Sequence, residues 1–282
     1  MTTVEIDRFG AAVGAEIHGV ELSKPLDEAT FASIHEAFLE HHVVVFREQS
    51  LSHAEQLAFA RRFGQLDVHP IVTPTHEHPE LVRVFKPAGE SASFGTGWHS
   101  DNSFFECPSM ASILYGSEVP PRGGDTLFAS MEAAWDALSD TMQGWLAPLR
   151  AVHSASRAYA PSVTGEAKYR GDAAMSYTYS DAVEKQVAHP IARTHPETGR
   201  KSLYVNQMFT QHIEGLGLDE SESVLAFLYR HIERPEFQCR VRWRAGTLLL
   251  WDNRSVQHNA LDDYRDYDRL MYRVTVSGDR PV

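Results

Sequence analysis

Phe237-Gln238-Cys239-Arg240-Val241-Arg242-Trp243-Arg244 alternates large apolar side chains with polar ones. That is the period-two pattern of a strand with one buried face. Gly246 then turns the chain into the apolar run Thr247–Trp251. Further on, Leu270, Tyr272, Val274 and Val276 alternate with Arg269, Met271, Arg273 and Thr275, which predicts another long strand. Strands separated by Gly- and Pro-containing turns predict a mainly β fold with helices, built as a jelly-roll core with helical insertions.

Upstream the period changes. Phe31, Ile34 and Phe38 recur at helical spacing after Asp27, and Val43–Phe46 reads as a buried strand. Ser52 and Glu55 form a capping box for a helix running through Phe63 and ended by Gly64. Asp219 with Glu222 repeats the start signal, with Val224, Leu225, Leu228 and Ile232 as the apolar stripe and Pro235 as the stop. Thr141–Gly217, which holds Gly165, Gly171, Pro190, Pro196 and Gly199, is expected to contain long loops covering the barrel mouth. Without an internal repeat or long linker, residues 1–282 are expected to form a single domain.

A formal charge of −12 and the lack of a basic stripe argue against a nucleic-acid or anionic-membrane partner. An anionic substrate would be repelled by the whole molecule, so its attraction must come from locally placed cations. Cys107 and Cys239 lie far apart and match no zinc pattern. Their scarcity, an acidic start (Glu5, Asp7) and apolar runs of only strand length lead to the expectation of a cytoplasmic protein without a membrane partner.

The chemistry is concentrated in two separated motifs, Trp98-His99-Ser100-Asp101 and Trp251-Asp252-Asn253-Arg254 with His258 shortly after. On an extended backbone His99 and Asp101 share a face, whereas a helix would set them roughly 200° apart. Two imidazoles and one carboxylate can hold Fe(II) on one triangular face and leave positions open for a co-substrate and O2. Phe104 and Phe105 supply an apolar wall beside the pair. Zinc hydrolysis is the competing chemistry, but there is no His-Glu-x-x-His and no cysteine ligand cluster. His76-Glu77-His78, flanked by Pro74 and Pro79, reads as a solvated loop, and His41-His42, His195 and His231 as helix-end or loop residues.

Together with Gly123-Gly124-Asp125-Thr126 and Arg269-Leu270-Met271-Tyr272-Arg273, these motifs resemble the taurine dioxygenase family of Fe(II)/2-oxoglutarate oxygenases. The family also includes alkylsulfatases and phenoxyalkanoate dioxygenases, and the similarity runs from about Val13 to Pro281. The resemblance implies a double-stranded β-helix (cupin-like) core. It implies that His99, Asp101 and His258 hold Fe(II), that Arg269 and Thr126 hold the distal carboxylate of 2-oxoglutarate, and that O2 is the second co-substrate. It also implies hydroxylation of a small anionic organic substrate with release of succinate and CO2, and a homo-oligomer is expected.

Arginine suits the carried-over role, since its rigid donor fork meets a carboxylate bidentately and stays charged when desolvated. Arg269 and Arg273 fall on one face of the same strand. Either both pair with the acidic run Asp262, Asp263, Asp266 and Asp268, or they make two anion sites, one for 2-oxoglutarate and one for the substrate. The family places a substrate-binding arginine at Arg273, and its taurine-specific members a histidine at His69. Gly95 stands where those members carry an asparagine that meets the taurine amine, Val72 where they carry a tyrosine, and Asn102 where they carry a valine. Val152–Arg157 and Leu203–Gln207 look closer to phenoxypropionate-type members. His69, Gly95, Asn102 and Arg273 are therefore the candidate substrate-side residues, for a taurine-like sulfonate, an alkyl sulfate or an aryloxyalkanoate. The rival readings are a non-oxygenase metal protein on the same barrel and a jelly-roll binding module without chemistry.

Overall fold

The computed structural model describes residues 4–69, 71–72, 75, 77–90, 95–159 and 183–282. The strands are β1 Glu5–Arg8, β2 Ala15–His18, β3 Val43–Phe46, β4 Leu81–Lys86, β5 Ala111–Glu118, β6 Thr126–Ser130, β7 Arg150–Ser154, β8 Gln186–Pro190, β9 Ala192–Thr194, β10 Lys201–Leu203, β11 Thr210–Ile213, β12 Gln238–Val241, β13 Thr247–Asp252, β14 Val256–Ala260 and β15 Arg269–Val276. The helices are α1 Glu28–His41, α2 His53–Arg61, α3 Met131–Asp136, α4 Asp140–Leu146, α5 Ser156–Tyr159 and α6 Leu218–Ile232.

A seven-stranded sheet in the order β1-β2-β3-β13-β5-β15-β4 forms one wall, antiparallel throughout except between β2 and β3. The three-stranded sheet β12-β6-β14 forms the other. Side chains from the two walls meet in the space between them, as where Phe128 on β6 packs against Trp251 on β13 at 5.6 Å. The fold is mainly β, as the alternating C-terminal strands predicted, and cupin-like, as the resemblance implied.

The continuous apolar runs are explained by burial of both sheet faces. On β13, Leu249 and Trp251 enter the interior between the walls, while Leu248 and Leu250 pack outward among α1 and α2 residues such as Ile34, Phe38, Leu57 and Phe59. On β3, Val43 and Val45 face inward and Val44 and Phe46 outward. On β15, Met271 points inward, and Arg269 and Arg273, which share its face, are buried with it. A third core joins α3 and α6 to β7, β9 and β10 around Trp135, Leu203, Leu225 and Leu228.

Most helix boundaries follow the signals in the sequence. Asp27 caps α1 by accepting a hydrogen bond from the Thr30 N–H at 2.7 Å. The Ser52/Glu55 capping box forms, but α2 ends at Arg61, before Phe63. The cap of α6 lies earlier than expected: the Gly217 N–H donates to Glu220 Oε2 at 2.8 Å, leaving Asp219 in the first turn rather than at the cap. Within 141–217, where long loops were expected, the described residues include β7 to β11 and α5. Those strands are short and pair with each other rather than with the main sheet, so no long alternating run betrays them. Gly165 and Gly171 fall outside the described residues.

Candidate metal centre

His99 and His258 come together through backbone pairing. The His99 N–H donates to the His258 carbonyl at 3.1 Å, and the His258 N–H returns the bond at 2.8 Å. Their rings lie 4.1 Å apart between centroids. His258 stands on β14, packed against Phe128 at 5.8 Å and Trp251 at 4.9 Å. The backbone at His99 is extended as the spacing required, but it makes only this isolated bridge and turns at Asp101. Asn102 adopts φ 57°, a left-handed conformation that asparagine tolerates better than most residues. The turn swings Asp101 Oδ1 to 3.7 Å from His99 Nε2 and 4.0 Å from His258 Nε2. Two metal–ligand bonds of about 2.0–2.2 Å each can span such gaps.

All three side chains are buried, and their environment favours the forms that bind metal. Burial pushes the His258 imidazole down to about 3, helped by His99. Burial likewise lowers His99, against the opposing pull of Asp101. For Asp101 burial alone would raise the carboxyl, but Arg273, His258, His99 and the Ser112 hydroxyl together hold it well below the usual carboxylate range. Neutral imidazoles beside an ionised carboxylate are what a divalent ion requires.

Neighbouring groups orient the three candidate ligands. The Gly97 carbonyl takes the His99 Nδ1–H at 2.8 Å, which turns the Nε2 lone pair toward Asp101. His258 Nδ1 has no partner, so packing between Phe128 and Trp251 holds this ring. Ser112 donates to Asp101 Oδ2 at 2.6 Å and receives a hydrogen bond from Asn253 Nδ2 at 2.9 Å. Asn253 Oδ1 in turn accepts from the Asp101 N–H at 3.2 Å and from Trp251 Nε1 at 3.0 Å. Sequence reading gave Ser112 and Asn253 no role. A clue was available for Ser112, a hydroxyl within the otherwise apolar stretch Met110–Leu114.

One cavity is lined by His99, His258, Thr126, Arg269, Arg273 and Gly95, with Leu114, Leu249 and Trp251 as its apolar wall. Neither arginine follows the surface-pair reading. Asp262 binds Lys86, Asp263 accepts from the Gly124 N–H and Asp268 from the Ala88 N–H. Arg273 instead lies 3.4 Å from Asp101 Oδ1. Arg269 is buried beside the Trp243 and Tyr264 rings, with centroids at 5.7 and 5.6 Å, and its Nε meets no hydrogen-bond partner. Burial lowers its affinity for its proton, opposed by Tyr264 and by Asp125, and arginine stays charged at neutral pH. Thr126 accepts from Trp243 Nε1 at 3.0 Å, which leaves its own hydroxyl proton available to a ligand.

The remaining substrate-side candidates divide. Gly95 lines the cavity at φ 77°, and a Cβ there would meet only ordinary contacts, 3.7 Å to His99 and 3.9 Å to Ala260. His69 is buried and its Nδ1 accepts the N–H groups of Ile71 and Val72 at 3.1 and 3.0 Å. Its proton therefore sits on Nε2, which faces the Asn102 side chain. Burial, and then Arg273, push His69 down to about 3, so it is a neutral donor. His69 and Asn102 are both outside the cavity lining, and the Asn102 Nδ2 donates to Ser109 at 2.9 Å.

His42, His195 and His231 do occupy helix-end or loop positions, but they are buried rather than solvated. His195 meets Asp252 at 3.0 Å, His42 meets Glu132 at 3.2 Å and His231 meets the Ala134 carbonyl at 2.7 Å. Among the described residues, no helix is long and apolar enough to cross a membrane.

The chain is 34% identical over 279 residues to an alkylsulfatase of Acinetobacter baylyi, covering 98% of this chain and 86% of that one. It is 34% identical over 283 residues to an alpha-ketoglutarate-dependent sulfate ester dioxygenase of Pseudomonas putida, covering 99% and 91%. The crystal structure of a taurine dioxygenase from Burkholderia xenovorans superposes with a TM-score of 0.83 at 36% identity, covering 99% of this chain and 92% of that one. Residues 5–275 match the family model described as taurine catabolism dioxygenase TauD, TfdA family, and the chain belongs to that family.

Proposed function

We propose that this chain is an Fe(II)- and 2-oxoglutarate-dependent dioxygenase that hydroxylates a small organic acid, sulfonate or sulfate ester carrying no amine. One observation carries the reading: His99 and His258 of the buried His99–Asp101–His258 cluster line the same cavity as Arg269 and Thr126. A non-oxygenase metal protein would have no use for a second carboxylate clamp there.

The donor set fits iron, since two imidazoles and a carboxylate leave further coordination positions open. A bound Fe(II) would supply the activation of O2 coupled to decarboxylation of 2-oxoglutarate to succinate and CO2. The chain's own residues bind, orient and exclude water. His99 and His258 present Nε2 and Asp101 presents Oδ1, while Ser112 occupies Oδ2 and discourages a bidentate grip. The fork of Arg269 and the hydroxyl of Thr126 suit the distal carboxylate of 2-oxoglutarate, which would satisfy the Nε that is otherwise without a partner. Leu114, Leu249 and Trp251 keep this end of the cavity dry, which strengthens the ion pair.

Arg273 supplies the positive end for the substrate anion, with the neutral His69 beside it. Gly95 and Val72 offer no group to a substrate ammonium, and an unpaired buried charge is costly. An alkyl or aryl body without an amine therefore fits better than taurine. The reading also takes residues 1–282 as one catalytic domain of a cytoplasmic homo-oligomer, whose assembly light scattering would report.

The test is an anaerobic titration with Fe(II) and 2-oxoglutarate, following the visible metal-to-ligand charge-transfer band. The band should form, and alkyl sulfates, alkanesulfonates or aryloxy acids should shift it. A chain that forms no band with both components present would not be this enzyme.

A further inference from the structure

His76-Glu77-His78 has no part in the centre described above, but the fold brings two of its members against α2. Potential ligand atoms of His53, Glu77 and His78 all lie within 4.8 Å of one another. Among the described residues, only this group and His99–Asp101–His258 meet that condition. His76 itself falls outside the described residues.

Both sides of the cluster are held in place before any ion arrives. His53 is the first residue of α2, fixed by the Ser52/Glu55 capping box. Its ring packs on Tyr272 at 4.4 Å and meets the His78 ring edge-on at 6.0 Å. The turn carrying Glu77 and His78 is closed by its backbone: the Leu81 N–H donates to the His78 carbonyl and the Thr75 N–H to the Leu81 carbonyl, both at 3.0 Å. The Thr75 hydroxyl adds a bond to the His78 carbonyl at 2.8 Å. Arg61 at the end of α2 reaches Glu80 at 3.2 Å and ties the same turn to the helix. Among the described residues, no hydrogen bond or ion pair occupies the side chains of His53, Glu77 or His78.

Charge and donor type narrow the ligand. The start of a helix carries roughly half a positive charge, so two neutral imidazoles there would be a poor cation site alone. The Glu77 carboxylate offsets that field. Two nitrogens and one oxygen suit zinc and neighbouring transition ions better than calcium or magnesium, which prefer all-oxygen shells. His53 and His78 are half-buried and Glu77 is exposed, so water can complete the shell.

We propose that His53, Glu77 and His78 form a second metal site, for a zinc-like divalent ion, that pins the 75–81 turn to the start of α2. This turn joins the His69–Val72 segment to β4, which pairs with the strand bearing Arg269 and Arg273. An ion there would brace the cavity from outside.

Equilibrium dialysis of the full chain against micromolar zinc, read by atomic emission, tests the site without reference to turnover. His53→Ala and His78→Ala should each bind one equivalent fewer than wild type, and Glu77→Gln should weaken that equivalent at least tenfold. His258→Ala should keep the equivalent that His53→Ala loses, which separates this site from the buried cluster. Thermal melts confirm folding, and the two histidine variants stand in for one another if either fails to fold. Wild-type stoichiometry in both histidine variants would overturn the proposal.

Discussion

Asp101 and Asp252 are both buried carboxylates beside an arginine and a histidine, yet their surroundings differ. Asp252 is saturated. Arg254 grips it with Nε at 2.8 Å and Nη2 at 2.7 Å, the Arg254 N–H adds a third bond at 2.9 Å, and His195 a fourth at 3.0 Å. Arg254 is then satisfied in turn by Glu197 at 2.7 Å. Around Asp101 the donors are fewer: Oδ2 accepts from Ser112, while Oδ1 accepts one long bond from Arg273 at 3.4 Å and faces two imidazole nitrogens at 3.7 and 4.0 Å. A structural carboxylate is thus marked by donors aimed at every lone pair. A ligand is marked by acceptors aimed at one another, which repel unless a cation sits between them.

The largest expected effect breaks the open cluster. His99→Ala, Asp101→Ala or His258→Ala should each abolish detectable succinate formation and stoichiometric iron binding, since two ligands rarely retain a labile ion. Oxoglutarate-dependent turnover in purified Asp101→Ala would remove that residue from the triad.

Damage to the saturated carboxylate should appear as stability instead. Asp252→Asn leaves the buried Arg254 paired only with the partly exposed Glu197 and should cost up to about 3–5 kcal/mol in denaturant unfolding of the metal-free protein. Burial alone would raise the Asp252 carboxyl, but Arg254 and His195 hold it far below its ordinary 3.8. A depressed carboxylate contributes stability above its unfolded value, and that contribution fades as pH falls further. The gap between wild type and Asp252→Asn should therefore narrow below about pH 4. A gap that widens in acid would contradict the assignment of charge.

Arg269→Gln sharpens the contrast between a paired arginine and one awaiting its anion. It should raise the 2-oxoglutarate requirement by the equivalent of about 2–5 kcal/mol while leaving iron bound. Unfolding stability should change little. An unaltered apparent affinity would move the clamp to Arg273.

Ser112→Ala asks how far the Asp101 cluster depends on its support. Outer partners of metal ligands are typically worth about 10–100-fold in affinity or activity. Isothermal titration with Mn(II) should show weaker binding in that range. Equal affinity would mean that backbone and packing alone aim Asp101.

Gly95→Asn is the smallest expected change. Asparagine tolerates the φ of 77° better than most residues, and there is room for its Cβ. Relative succinate yield should shift toward taurine and away from an alkanesulfonate or a phenoxypropionate, by roughly tenfold for one regained hydrogen bond. A wild type that already prefers taurine would mean that another residue meets the amine.

Much of this protein could be read from the chain because the controlling physics is local. Period-two alternation at 237–243 and 269–276, the caps at Asp27 and Ser52, and the stop at Pro235 each express a rule acting over a few residues. The candidate ligands His99, Asp101 and His258 were legible as residue types in recurring spacings. Tertiary structure alone decided how the two motifs meet, because a cross-strand bridge joins His99 to His258 across 158 intervening residues. It also decided that Arg273 leans on Asp101 while Arg269 keeps an unpartnered Nε, although both share one face of one strand. The same holds for Ser112 and Asn253, ordinary polar residues until folding aims them at one carboxylate, and for His53, which no spacing connects to His78. Hydrogen-bond partners in a core depend on which distant segments the packing brings within about 3 Å, and no local periodicity encodes that.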